Sequence, residues 1–357
     1  MLQKVVETDY EFFTTTLSAW EAMLDDCARA QQSIYFEQYI LSNDDWGNRF
    51  LNLFLEKAKQ GVKVTLVFDF IGSLDIFKSP IIKDIRKYGG HVRFYRPLSL
   101  KHLFRPHKWF PRTHLKCMII DAKTGYLGSG CVAKRMEDWR DTYMRFNGAL
   151  VREMMREFRI DPIPSTSLQS DAAWEKDGFD FQLNKPRLFS NPVYKDLLKH
   201  INHAENHICI VTPYFIAPRK LAADLLKAAR RGVKVTIMSS RETDVLLADL
   251  AARSDYLKYI NNNIDIYLYQ PAILHAKYAI VDGRWATMGS TNIDYLSLHQ
   301  NRESNVAMTN MQAISELQQH FDTDLKDCMK VDEAYCRERP WLEKIAGTGA
   351  KLLKKML

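Results

Sequence analysis

Two stretches of the chain have the same order of apolar and polar positions. Ser33–Leu41 (SIYFEQYIL) and His207–Ile216 (HICIVTPYFI) are β-rich apolar runs of the kind that forms buried strands. Each leads into a helical pattern, Phe50-Leu-Asn-Leu-Phe-Leu-Glu-Lys-Ala in the first and Leu221-Ala-Ala-Asp-Leu-Leu-Lys-Ala-Ala in the second. Each helical pattern stops at a glycine, and a β-branched strand follows: Gly61-Val-Lys-Val-Thr-Leu-Val-Phe and Gly232-Val-Lys-Val-Thr-Ile-Met. The unit strand–helix–strand therefore occurs twice, 171 residues apart from Gly61 to Gly232. A period this long predicts a duplicated domain rather than a solenoid. Strands alternating with helices predict an α/β sandwich with a largely parallel sheet in each half. The expected boundaries are a first domain over 1–160, a linker over 161–184 with Pro162, Pro164 and a Ser/Thr cluster, a second domain over 185–335, and a basic amphipathic tail over 336–357.

The repeat extends to residues with chemistry. His114-Leu-Lys116-x4-Asp121 recurs as His275-Ala-Lys277-x4-Asp282, and after six further residues each copy reaches Gly-Ser, at Gly128-Ser129 and Gly289-Ser290. An alternating apolar strand joins Lys to Asp in both copies, so His and Lys share a strand face. One His-x-Lys is weak evidence. Two copies with identical spacing at equivalent places are strong evidence for a site. A lysine beside each imidazole disfavours a metal cation, and no tight His/Cys/Asp cluster is present, so no metal or other cofactor is expected. Lysine charge with hydroxyl and amide donors suits phosphate, and paired histidines can divide nucleophilic and acid–base work.

At these residues the sequence resembles the phospholipase D superfamily, marked by a duplicated His-x-Lys-x4-Asp-x6-Gly-Ser motif. Within it the chain looks most like bacterial cardiolipin synthases, through Phe36-Glu37-Gln38-Tyr39-Ile40, Thr212-Pro213-Tyr214-Phe215, Tyr269-Gln270-Pro271 and Gly289-Ser290-Thr291-Asn292-Ile293-Asp294. The resemblance implies two tandem α/β/α sandwich domains about a pseudo-twofold with one shared active site and a covalent phosphohistidine. His114 would be the nucleophile and His275 the general acid and then base, in an order the symmetry leaves open. Lys116, Lys277, Ser129, Ser290 and Asn292 would hold phosphoryl oxygens. Asp121 and Asp282 complete the motifs, on strand ends where a structural role fits better than a chemical one. Asp141, 27 residues after His114, and Glu303, 28 after His275, are candidates for the carboxylates that orient the motif histidines. The first copy departs from the second at one position, Cys131 against Asn292, and loses a side-chain amide there.

The resemblance implies a phosphatidyltransferase making cardiolipin from two phosphatidylglycerols with release of glycerol. Water as acceptor would make it a hydrolytic phospholipase D, and a nucleic-acid substrate would make it a nuclease of the same superfamily. The residues do not choose between transfer and hydrolysis.

Charge bears on the partner. The chain of 357 residues carries +7, but Ile85–Ile120 has nine Lys/Arg and no acid, which leaves the rest at −2. Trp109 and Phe110 interleave with Lys101, Arg105 and Lys108 there. That mixture predicts contact with an anionic membrane surface and disfavours nucleic acid as the partner. No apolar stretch reaches the ~20 residues of a spanning helix, the N-terminal residues lack the apolar core of a signal peptide, and six scattered cysteines suit reduced thiols. The expected setting is cytoplasmic, peripheral on the inner face of a bacterial membrane, with the oligomeric state left unassigned.

Overall fold

The computed structural model describes residues 8–97, 111–160, 178–186 and 190–352. The strands are β1 (Tyr10–Thr15), β2 (Ser33–Gln38), β3 (Lys63–Asp69), β4 (His91–Tyr95), β5 (Lys116–Ile120), β6 (Thr124–Gly128), β7 (Arg140–Phe146), β8 (Phe179–Leu183), β9 (His207–Val211), β10 (Lys234–Ser240), β11 (Ile264–Tyr269), β12 (Tyr278–Val281), β13 (Trp285–Gly289), β14 (Ser304–Met308) and β15 (Cys328–Lys330). The α-helices are α1 (Thr16–Arg29), α2 (Asp45–Lys59), α3 (Pro80–Lys87), α4 (Ala149–Phe158), α5 (Pro192–His203), α6 (Arg219–Arg230), α7 (Leu246–Arg253), α8 (Tyr256–Ile260), α9 (Tyr295–His299), α10 (Met311–Lys326), α11 (Glu333–Glu338) and α12 (Trp341–Leu352).

Two sheets result, ordered β1-β7-β6-β5-β2-β3-β4 and β15-β11-β10-β9-β12-β13-β14-β8. The second repeats the first strand for strand and adds β15 at one edge. The duplicated α/β/α architecture matches the sequence expectation, but the sheets are mixed rather than largely parallel. Only β2-β3-β4 and β9-β10-β11 run parallel. The motif strands β5 and β12 lie antiparallel to β2 and β9. Their onward connections, three residues in each case, are too short for a crossover helix and can only fold back as hairpins. Edge strand β8 pairs with β14 in the second sheet, so the second unit begins inside the span expected to be linker.

The repeated helix ends have a common cause. Gly61 (φ 86°) and Gly232 (φ 93°) turn the chain from helix into strand through the left-handed region, which only glycine enters without strain. Helix α2 starts on Asp44, whose carboxylate accepts the Gly47 N–H.

One apolar cluster lies between the first sheet and α1–α3, and a second between the second sheet and α5–α8 with Ala350 of α12. A third joins the inner faces of both sheets, with Cys117, Leu127 and Met144 against Val211, Tyr278 and Met288. Ion pairs also tie the halves together, the half-buried Arg302–Glu37 at 2.8 Å and the buried Arg140–Asp324 at 2.7 Å. All six cysteines are free.

Candidate active site

His114 and His275 sit just before β5 and β12, and each is bridged to the other half of the chain. The His114 N–H donates to the Arg302 carbonyl (2.9 Å), and the His275 N–H donates to the Arg140 carbonyl (2.8 Å). Arg302 and Arg140 immediately precede Glu303 and Asp141. The bridges therefore deliver each acid to the histidine of the opposite half: His114 Nδ1 lies 2.9 Å from Glu303, and His275 Nδ1 lies 3.1 Å from Asp141. The near-equal sequence offsets pointed to pairing within each half, and the structure pairs them across. Both histidines, with Tyr39, Arg112, Cys131, Tyr214 and Asn292, line one cleft of about 260 Å³.

The lysines lie beneath the imidazoles, 1% and 2% exposed. Lys116 Nζ donates to the His114 carbonyl (2.9 Å). Lys277 Nζ donates to the His275 carbonyl (2.6 Å) and also stands 3.0 Å from His275 Nε2. Two buried ammonium groups favour an anion in this cleft.

The serines have other partners than the phosphate expected of them. Ser129 Oγ donates to Asp141 and Ser290 Oγ donates to Glu303 (2.5 Å). A hydroxyl has one proton, so each serine positions a carboxylate. Asn292 does keep spare capacity: its amide has two N–H groups, and one of them goes to the Tyr214 hydroxyl (3.1 Å). Cys131 occupies the equivalent place in the first half, buried at the cleft wall.

Asp121 and Asp282, counted with the catalytic motif in the sequence, serve the fold. Asp121 accepts the backbone N–H groups of Gln31, Gln32 and Ser33. Asp282 accepts those of Glu205, Asn206 and His207. Both aspartates follow the far end of their strands, about 16 Å along the chain from the lysines by strand rise. Burial alone would raise these carboxyls, but the backbone donors hold both below the ordinary value. Both take positive φ (52° and 53°), so each side chain reaches back to pin the turn entering β2 or β9.

The electrostatics of the two halves differ. Burial, then the charges of Lys116 and Lys277, push His114 well below its usual range. Burial and Lys277 push His275 down to about 4 against the pull of Asp141. Burial drives Lys277 down to about 7. Burial opposes ionisation of Asp141, but His275, Lys277 and Ser129 hold it below the ordinary carboxylate value. Burial wins at Glu303 and pushes it up to about 8 in spite of Lys116 and Ser290.

Tyr39 packs its ring edge-on to His114 (5.0 Å), and Trp139 lies 5.1 Å from His275. Sequence reasoning noted the Tyr39 and Tyr214 motifs without giving them a place in the cleft. It also passed over Arg112, a cleft residue paired with buried Asp69 at 2.6 Å. The position of Arg112 two residues before the motif histidine was the available signal. Lys101, Arg105, Lys108, Trp109 and Phe110 lie outside the described residues. Among those described, no helix is long and apolar enough to cross a membrane, and no group of three or more His, Cys, Asp or Glu is placed to hold a metal ion.

This is a duplicated α/β fold with one histidine–lysine pair from each half at a common anion-favouring cleft. A family model described as cardiolipin synthase, PLD-like domain, matches residues 23–146 and 197–325, and the chain belongs to that family, within the phospholipase D superfamily. A cardiolipin synthase of Oceanobacillus iheyensis is 31% identical over 331 residues, covering 88% of this chain and 68% of the relative. Cardiolipin synthase B of Salmonella typhimurium is 29% identical, covering 90% and 82%. Among solved structures, a phosphatidylserine synthase of Haemophilus influenzae superposes with a TM-score of 0.75 over 98% of this chain and 95% of its own, at 12% identity, a likeness of fold.

Proposed function

We propose that this protein is a cardiolipin synthase joining two phosphatidylglycerols by phosphatidyl transfer. The observation that carries the proposal is the crossed pair of histidine–carboxylate contacts in one cleft with two buried lysines. Neither half holds a complete site, and together they offer two imidazoles to one phosphodiester. The names of the relatives supply the substrate class.

In the proposed reaction His114 Nε2 attacks phosphorus and the P–O bond to glycerol breaks. The departing oxygen takes a proton from the ring of His275, leaving phosphatidyl-His114 and free glycerol. His275 then accepts the proton of a head-group hydroxyl on the second phosphatidylglycerol. That oxygen attacks phosphorus, the P–N bond breaks, and cardiolipin leaves with His114 restored. Lys277, beside His275 Nε2 and near neutrality in its own titration, passes a proton to that ring as the ring protonates the departing glycerol, and takes it back when the ring accepts the proton of the second head-group hydroxyl. Lys116, Lys277 and Asn292 stabilise charge growing on the phosphoryl oxygens. Asp141 and Glu303 orient the rings, and the enzyme works without a metal from the cytoplasmic face of the membrane as a peripheral protein.

The test is the product formed from phosphatidylglycerol vesicles in the presence of chelator. Cardiolipin and glycerol in equal amounts are expected. Phosphatidic acid would indicate hydrolysis, and cleavage of single-stranded DNA without lipid turnover would indicate a nuclease. Loss of activity on chelation with recovery on adding metal would overturn the phosphohistidine route.

A further inference from the structure

The apolar residues left on the surface are not scattered. Of eleven large hydrophobic side chains exposed among the described residues, nine fall in three segments. Ile71, Leu74 and Phe77 follow β3, and Val245, Leu246 and Leu247 follow β10. Strands β3 and β10 are equivalent in the repeat, so these are the same loop in the two halves. Trp341, Leu342 and Ile345 lie on α12.

Both loops border the cleft. In the first, the Ser73 hydroxyl donates to the carbonyl of Tyr39 (3.1 Å) and accepts the Leu41 N–H (2.9 Å), and Gly72 packs so closely that a Cβ would stand 2.2 Å from the same carbonyl. Tyr39 is a cleft residue. In the second loop Val245 itself lines the cleft while 37% exposed.

Helix α12 is inverted for a water-facing helix. Its small residues Gly347 and Ala350 are buried, with Gly347 against the Leu250 carbonyl of α7, while Trp341, Leu342 and Ile345 point outward at 62–67% exposure. Lys351 bonds the Ser254 carbonyl (2.9 Å) and Asp255 (2.7 Å). The pairs Gly347–Leu250 and Lys351–Ser254 set the two helices side by side in the same direction, which places Trp341 toward the α7 end that carries Leu246 and Leu247. A water-exposed helix ordinarily turns its bulky apolar side inward, and contiguous exposed apolar surface marks an interaction site.

Resting on the cardiolipin synthase reading, we propose that these two loops and α12 form one docking face that this protein lays on a phospholipid leaflet. The substrate of that reading has two acyl chains and lives in a bilayer, so the cleft mouth must meet a leaflet. The apolar face is continuous with that mouth through Val245. Exposed Lys134 and Arg135 line the groove shared with Ile71 and Leu74, alongside Asp44 and Asp75, so this groove is balanced in charge. Asp44 and Asp75 are committed to backbone N–H groups of Gly47, Lys134 and Asn43, and Lys134 also pairs with Glu137. The +9 run of the sequence returns to the described chain at Pro111, next to cleft residue Arg112. Exposed apolar side chains at the mouth of a lipid-accepting cleft suit insertion into a leaflet.

The test uses the full chain and two variants, Leu246→Ser/Leu247→Ser/Trp341→Ser/Ile345→Ser and Ile71→Ser/Leu74→Ser. Each is assayed for sedimentation with vesicles of equal phosphatidylglycerol and phosphatidylcholine at low and high salt. Each is also assayed for turnover of those vesicles and of a short-chain phosphatidylglycerol below its micellar concentration. The four-site variant is expected to lose vesicle binding at least tenfold at high salt, where apolar contact persists and charge is screened, and to lose vesicle turnover with it. The two-site variant is expected to lose less, and both to keep short-chain turnover within about twofold. Vesicle binding and turnover equal to wild type in both variants would overturn the docking face. So would a wild-type dimer that the four-site variant dissolves while vesicle binding holds, since a second copy would then be the occupant. Wild-type protein that sediments with vesicles but turns over neither substrate would sink the functional reading and leave the docking result standing.

Discussion

In the first half-site His114 meets a glutamate that burial pushes up to about 8. In the second, His275 meets an aspartate held below its ordinary value and has a lysine on its other ring nitrogen. Strands, bridges and serines repeat, so a different scaffold does not explain the contrast. One contributor is the acid's own neighbours: Asp141 has charged partners enough to stay ionised, whereas Glu303 does not overcome its burial. At neutral pH Asp141 accepts the Nδ1–H hydrogen bond of neutral His275, which leaves the bare Nε2 facing Lys277. Glu303 holds a proton more readily, so His114 attacks from the minor form in which Glu303 is ionised and accepts the Nδ1–H, which leaves Nε2 bare. The second half is thus wired for proton movement, with Asp141, His275 and Lys277 in line, and the first is left to attack phosphorus. A duplicated fold can supply symmetric geometry and still divide labour through protonation.

The largest effects should come from the histidines. His114→Ala should lower turnover by roughly 10⁴ or more with no covalent intermediate, while His275→Ala should form the intermediate and stall. Equal loss with no intermediate in either variant would erase the proposed division. The carboxylates come next. Asp141→Asn should cut kcat by roughly 10²–10³, because it removes the anion that fixes the His275 tautomer. Glu303→Gln, which replaces a group already largely protonated at pH 7, should cost only about tenfold. Equal losses would mean that both acids work ionised.

A smaller effect concerns pH. Lys277 keeps its proton below about 7 and loses it above, so turnover should fall as pH rises through that range. Lys277→Arg keeps the charge but cannot give up its proton to His275, so it should lower turnover strongly and remove this alkaline limb. An unchanged profile would detach Lys277 from proton transfer. The smallest kinetic effects belong to Asp121→Ala and Asp282→Ala, which should leave kcat near wild type and lower unfolding free energy by about 1–2 kcal/mol each, given the solvent that reaches these carboxylates. A large kcat loss without loss of stability would return them to the chemistry.

The duplication was legible because its signals are local. A glycine after a helix, a β-branched strand and a His-x-Lys can each be read within a few residues. The mixed sheets were not, since strand alternation says nothing of the short hairpins that reverse β5 and β12. Asp141 and Glu303 were identifiable as acids at matching offsets, but an offset cannot tell which histidine they meet. That is decided by the bridges at Arg140 and Arg302, whose partners are more than 130 residues away. The serines looked like phosphate donors until Asp141 and Glu303 were seen to occupy their protons. The tail over 336–357 reads only as amphipathic, and that Gly347 and Ala350 form the buried side of α12 is decided by its packing on α7.

The division of labour is tested most directly by mapping the covalent phosphatidyl group. The His275→Ala protein, quenched during incubation with labelled phosphatidylglycerol and digested at alkaline pH, should carry the label on the peptide containing His114, and His114→Ala should carry none. Label on His275 in the His114→Ala protein, with none on His114 in its counterpart, would contradict the assignment.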